Sequence, residues 1–257
     1  MIKNILSLSL CVILFFNMNA QKINGIWQFN VTPTLGNRII SYKENVTQQF
    51  KDSIKKGDTW RKSISAGIGY NLILSKKKRL IIGLQYQNFG FKRVKENLKF
   101  RDTIHPEIGR VNDLSQTGSN YVDFNYRYHY LAIPALLNYQ FHANKTKTTT
   151  INWLIGGSIA GLLKHDVRAV LRGFSAYGEK VFILKNSNEQ AALLNVNLQT
   201  GLRLENLIYA KNTWIFVQPM LYAPILTANY GKERHHLFSI GVEIGLAFKI
   251  DKDKAKM

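Results

Sequence analysis

A single cysteine, Cys11, occurs among 257 residues, and only five prolines are spread along the chain. Cys11 lies inside the first apolar run, so a chain cut after that run could form neither a disulfide nor a thiolate metal site. Scarce proline, beside plentiful glycine and aromatics, suits many strands better than a disordered or helical chain. Long hydrophobic runs are missing too. Beyond the N-terminus no stretch approaches about eighteen continuous apolar residues, so no transmembrane helix is predicted. Acidic residues are few: Lys+Arg 35 against Asp+Glu 16 gives a net charge of +19. Such a field favours polyanionic partners.

What is present begins with MIKNILSLSLCVILFFNMNA, residues 1–20. Lys3 supplies a basic start, Ile5 to Phe16 an apolar run, and Ala20 a residue suited to cleavage. This is the pattern of a secretory signal peptide, with 21–257 expected as the mature domain. Met18 is larger than the usual third residue before a cut, so the site could shift slightly. A retained anchor, the other reading, would need about twenty apolar residues. Leu8-Ser9-Leu10-Cys11 loosely resembles a lipobox, but Val12-Ile13-Leu14-Phe15-Phe16 still follow it.

The mature part is rich in glycine, at 18, and 12% of the chain is aromatic, which suits many strands. In 195–204, Val196, Leu198, Leu202 and Leu204 alternate with Asn195, Asn197, Gln199 and Arg203. Strand side chains point to opposite faces with period two, so this is a two-faced strand. Related patterns place strands at 23–35, 60–74, 79–92, 121–141, 149–163, around 195–204, 213–224 and 236–250. The seventh, which carries Pro219, is ambiguous. Connections after the first, third and fifth are long (36–59, 93–120, 164–192); those after the second, fourth and sixth are short and polar.

Long and short connections in alternation mark a bacterial outer-membrane barrel, with long extracellular loops and tight periplasmic turns. The expected fold is therefore all-β: an eight-stranded, antiparallel, up-and-down transmembrane β-barrel. Its leucines would face lipid, whereas in a soluble barrel or sandwich they would pack inward. The second parity is small or polar rather than uniformly charged, as a narrow lumen needs. Aromatics such as Trp60, Tyr70, Trp153 and Phe248 fall near strand ends and suit interfacial girdles.

The fourth strand is unusual. Val122, Phe124, Tyr126, Tyr128 and Tyr130 share one parity, yet Leu131, Ile133, Leu137, Tyr139 and Phe141 carry the apolar pattern on the other. Beside Pro134, this reads as a bulge that resets the faces. The run Tyr130-Leu131-x-Ile133-Pro134-x-Leu136-Leu137-x-Tyr139 resembles the central motif of the PorT-like outer-membrane β-barrel family of Bacteroidota. The general layout is similar over nearly the whole mature chain. The resemblance implies an integral outer-membrane protein after signal cleavage, in a family some of whose members are associated with type IX secretion. The C-terminal Asp-Lys-Asp-Lys-Ala-Lys-Met departs from the terminal aromatic usual in such barrels.

By parity, the luminal charges are Arg61, Arg127, His129, Arg203, Glu205, Glu243 and Lys249. Buried charges persist when paired, so Glu243 is expected to meet Arg203 or another luminal base. The network of Arg203, Glu243, Glu205, Arg127 and His129 reads as a salt-bridged plug; a gate or catalytic dyad is the sharper reading. No catalytic motif is recognised, and no catalytic, cofactor or metal site is expected. The alternative is a membrane-embedded lipid A-modifying hydrolase using His129, Asp123 and Ser63 or Ser65. His235-His236 with Glu233 is a weak metal candidate, more often a solvated cluster.

Loops on a rigid scaffold usually carry binding. Lys43, Lys51, Lys55 and Lys56 are candidate contacts for anionic lipid, because lipopolysaccharide phosphates are the accessible anion at an outer membrane. Nucleic acid is not expected there; other envelope proteins are. A basic surface kept soluble by repulsion is the plainer account. The connection 164–192 holds Val170, Leu171, Phe174, Val181, Phe182 and Ile183, too apolar for free coil, and a hairpin extending the neighbouring strands fits it better than a partner contact. Asp52-Ser53-Ile54 and Asp102-Thr103-Ile104 resemble a short O-glycosylation motif. A scaffold or complex subunit, possible in secretion, is the expected role.

Overall fold

The computed structural model describes residues 25–42, 47, 57–96, 104–105, 109–110, 121–146, 148–172, 180–185, 191–209, 212–230 and 233–249. The expected signal at 1–20, the loop lysines Lys43, Lys51, Lys55 and Lys56, and Asp52-Ser53-Ile54 lie outside these residues, as do Asp102 and Thr103.

Eight long strands make the wall: β1 (Gly25–Tyr42), β2 (Arg61–Ile73), β3 (Lys78–Glu96), β4 (Tyr121–Ala143), β5 (Thr149–Arg172), β6 (Leu194–Tyr209), β7 (Thr213–Pro224) and β8 (Glu233–Lys249). Each pairs antiparallel with the next, and β8 returns to β1 from Ile26↔Lys249 to Tyr42↔Glu233. The ring is closed, so it carries no open edge, as a sheet in lipid requires. Asp58–Thr59 adds a short pairing to β3, and Lys180–Lys185 folds back on the outer part of β5. That second pairing is the hairpin expected within 164–192.

The alternation that sorts the faces runs as expected for a membrane barrel. Leu198, Leu202 and Leu204 are exposed, while Asn195, Asn197, Gln199 and Arg203 are buried. Around the wall Val31, Ile64, Ile68, Leu84, Ile133, Ile159 and Ile244 likewise face out. Aromatic pairs mark both borders of this band. Trp27–Tyr70 (5.0 Å) and Phe29–Phe248 (5.6 Å) lie at the short-turn end, and Trp60–Phe238 (5.4 Å) at the other. Pro33 and Pro219 sit on the outward parity, where lipid-facing rings cost the core nothing; Pro134 is buried on the inward parity it shares with Ala132 and Leu136.

Strand ends depart from the sequence reading. β1, β3 and β5 continue to Tyr42, Glu96 and Arg172, well into what reads as loop. Beyond the lipid band neither face needs a continuous apolar side, so residues such as Arg38, Lys92, Arg93 and Asp166 pair in strands without an alternating hydrophobic signature. At about 3.3 Å per residue the 23 residues of β4 and 24 of β5 far exceed a crossing, so these strands project outward.

The predicted parity flip beside Pro134 does not occur. Tyr128, Tyr130, Ala132, Leu136 and Asn138 all point inward, and β4 keeps one register with β3 from Tyr139 to Tyr121. The tyrosines are luminal; aromatic filling, rather than a bulge, moved the apolar signal between parities. The irregularity lies instead against β5, where pairing steps from His129↔Lys164 to Tyr130↔Leu162 and leaves Leu163 as the extra residue.

Gly90 on β3 marks a close approach: a Cβ there would lie 2.0 Å from the Tyr126 carbonyl oxygen, and its φ is +155°. Gly90→Ala should lower unfolding stability by about 1–3 kcal/mol, read from urea denaturation of the folded barrel in detergent. An unchanged midpoint would mean that β3 and β4 can separate there at no cost.

Candidate functional site

The lumen is packed in layers. Nearest the short turns, Arg203 is completely buried, with Nε 2.7 Å from Glu205 Oε1. Its Nη1 donates to Gln28 Oε1 at 2.8 Å, and its guanidinium lies 3.6 Å from the centre of the Phe216 ring. Arg79 reaches the other Glu205 oxygen at 2.5 Å. Glu243 accepts from Asn30 Nδ2 at 2.6 Å. Two bases, Arg79 and Arg203, thus balance two acids, Glu205 and Glu243. The ion pair of Arg203 is with Glu205, its second neighbour along β6; Glu243 is held by the Asn30 and Gln218 amides and feels Arg203 only through space.

Above this layer come amides, including Asn138, Asn195, Asn197, Gln85 and Gln87. Higher still, aromatic rings fill the bore. Phe89 packs on Tyr222 (5.5 Å), Tyr128 on His165 (4.3 Å), and Phe91 on Tyr126 (4.3 Å). Eight strands give an interior just wide enough for side chains to fill. The bore is a plug, not a channel.

The outer end is tied by Arg38. Its guanidinium makes a two-point contact with Asp58 (2.8 and 3.0 Å), meets His235 Nε2 at 2.7 Å and lies over Phe91 at 3.8 Å. Glu233, at the rim beyond the lipid band, is held below the usual carboxylate range mainly by His235, against partial burial, with help from Arg38 and Arg93. A depressed carboxyl stabilises the fold at neutral pH, and that contribution is lost as pH falls through the folded-state value.

Several sequence candidates separate. Arg127 and His129 are not luminal: they share the outward parity of Leu131 and Ile133. The tyrosines beside them fill the bore, so the opposite parity, which carries Arg127 and His129, faces out. Arg127 Nε pairs with Asp166, and His129 Nδ1 meets Tyr86 OH at 2.5 Å on the outer wall. Ser63 bonds Thr34 at 2.7 Å, Ser65 takes the Asn88 backbone N–H at 3.2 Å, and Asp123 pairs with Lys92 at 2.7 Å. The four side chains named for a hydrolase are therefore engaged apart from one another. His235 and His236 point to opposite faces, the first to Arg38 and the second to Ser41 Oγ at 3.1 Å. Among the described residues no group of three or more His, Cys, Asp or Glu side chains is placed to hold a metal.

Sequence reasoning missed Asp166, Arg79 and the Arg38–Asp58 pair. Each lies in a segment read as loop or turn, or at the end of a strand. The signal available was the pairing of opposite charges at strand ends, which has no fixed period.

A closed eight-stranded ring, an apolar exterior with aromatic borders and a polar, packed bore are now in place. The chain has the outer-membrane β-barrel fold. Solved structures of similar shape are outer-membrane proteins. OprG of Pseudomonas aeruginosa is 9% identical, covering 90% of this chain and 97% of that one at a TM-score of 0.46. Neisserial surface protein A is 10% identical over 86% and 97% (TM-score 0.37). Ail of Yersinia pestis is 8% identical over 88% and 99% (TM-score 0.36). No protein-family model matches the chain, and no curated protein does. At these scores the reading rests on the barrel's own closure and exterior.

Proposed function

We propose that this is a non-enzymatic, integral outer-membrane scaffold or subunit of an envelope complex. The observation that carries the reading is the outward extension of β4, β5 and Lys180–Lys185 beyond the lipid band. Lys180–Lys185 pairs with β5 on one side, and among the described residues its other edge has no strand partner. An unpaired edge held away from the membrane is suited to strand addition by a partner. The packed bore argues against transport through the barrel. Ser63, Asp123 and His129, each bonded elsewhere, lend the hydrolase alternative no support. The motif from Tyr130 to Tyr139 favours the PorT-like family of Bacteroidota and, within it, a secretion-related complex. Partners would be other envelope proteins and outer-membrane lipid including lipopolysaccharide, not nucleic acid.

Purification from native outer membranes in mild detergent tests this. A second protein in fixed ratio is expected, and it should be lost when residues 173–190 are replaced by a short Gly/Ser turn. A barrel that runs alone, with or without that segment, overturns the scaffold reading.

A further inference from the structure

A polar patch lies on the outer wall just above the apolar band, at the end that bears the long connections. Four strands build it. Arg61 comes from β2, Asn88 from β3, Asn125 and Arg127 from β4, and Lys164 and Asp166 from β5. Arg61 is only 5% exposed, yet its bonds are to neutral amides: Nε to Asn125 Oδ1 at 2.7 Å and Nη2 to Asn88 Oδ1 at 3.0 Å. Its Nη1 has no partner. Arg127 and Lys164 both turn to one acid, Asp166, with Lys164 Nζ at 2.9 Å. The patch therefore holds three cations and one carboxylate, which contacts two of them. A covered guanidinium without its own acid is unfavourable unless another anion completes it.

The ladder is also interrupted at this point. Pairing between β2 and β3 stops at Ala66↔Tyr86 and the chain pairs with β3 again at Thr59↔Lys92 and Asp58↔Arg93, so Arg61–Ser65 form a gap without ladder bonds inside the closed wall. A bare stretch of backbone in lipid is costly, and here the Arg61 side chain and the Ser65 hydroxyl span the slot. One exterior groove meets the patch, and a second lies lower on the wall. The first, about 1180 Å³, includes Arg61, Lys62 and Asn88 and runs round the wall past Leu35, Val242 and Leu221 to Leu202 and Trp153. The other, about 710 Å³, runs down the wall from Tyr86 and Leu131 past Ala66 and Gly67 to Phe29.

We propose that the patch of Arg61, Arg127 and Lys164 binds a phosphate of the lipid A part of lipopolysaccharide, whose acyl chains lie along the apolar wall in the groove that begins at Arg61. Charge selects the headgroup: guanidinium and ammonium donors at the level where outer-leaflet phosphates sit form short, charge-assisted hydrogen bonds. The long apolar groove that begins at Arg61 suits the acyl chains of such a lipid. The basic loops are not needed for this site, because the wall itself supplies the cations. The inference deepens the lipid partnership proposed above and requires only that the barrel reside in the outer membrane.

The test uses the full barrel in phosphatidylcholine nanodiscs doped with bisphosphorylated hexa-acyl lipid A, its dephosphorylated form, or phosphatidylglycerol. Bound lipid is counted by native mass spectrometry. Wild-type protein should retain lipid A, and dephosphorylation of the lipid should weaken retention about tenfold, as should Arg61→Gln or Arg127→Gln. Lys164→Gln, at a side chain 56% exposed, tests the site without disturbing the fold if the arginine variants do not assemble. Equal retention by wild type and Lys164→Gln, or of both lipid A forms, overturns the proposal. Equal retention of phosphatidylglycerol overturns the lipid A assignment. A barrel that binds no partner protein leaves these outcomes unchanged, so the two readings fail separately.

Discussion

Arg203→Leu should lower the unfolding free energy of the barrel by about 3–5 kcal/mol, the usual cost of removing one member of a buried ion pair. The loss is not of a contact alone. Glu205 would keep Arg79 but leave one carboxylate oxygen without its base, in a bore that the substitution makes more apolar. Gln28 loses a donor, Phe216 loses the guanidinium on its face, and Glu243 loses the positive charge nearest to it. Adding Glu205→Gln to Arg203→Leu should recover about half of the loss, because Arg79 at the periplasmic edge can turn to water. Urea unfolding from lipid vesicles, followed by tryptophan fluorescence, measures both. A cost below about 1 kcal/mol for Arg203→Leu would mean that water reaches Glu205, and the bore would no longer be a plug.

The sequence shows the wall clearly and the ends poorly, for one reason. Lipid imposes a face on every strand it touches, so Leu198, Leu202 and Leu204 against Asn197, Gln199 and Arg203 can be read without a structure. Outside the band that constraint ends, and Arg38, Lys92 or Asp166 can sit in a strand with no alternation to betray them. β4 is the instructive case. Its tyrosines count with its leucines in a binary apolar/polar pattern, so the switch from Tyr130 to Leu131 reads as a change of face. No residue is inserted there, and a change of face requires one. The same misreading put Arg127 and His129 in the lumen, and so hid the outer cationic patch. Arg203 and Glu205 were legible because they lie within the band, where a charged residue on the leucines' opposite face has only the bore to enter.

Ile133→Arg gives the second large effect, and it decides the side on which the leucines lie. Ile133 is 58% exposed on β4, inside the outward row that runs from Leu131 to Phe141. In a soluble barrel such a residue meets water, and arginine there would be neutral within about 0.5 kcal/mol. In a membrane barrel it meets hydrocarbon near the midplane, and arginine costs about 2–4 kcal/mol. The cost should shrink toward the borders, so Phe141→Arg, near the end of the same strand, should lose less than half as much. That gradient separates lipid from any other apolar surroundings, because a protein partner covering the face would penalise both sites alike. The pair is read by urea titration of the refolded barrel in vesicles of one lipid composition. A flat response at both positions would place the exterior in water and overturn the membrane reading on which the lipid site and the envelope scaffold both stand.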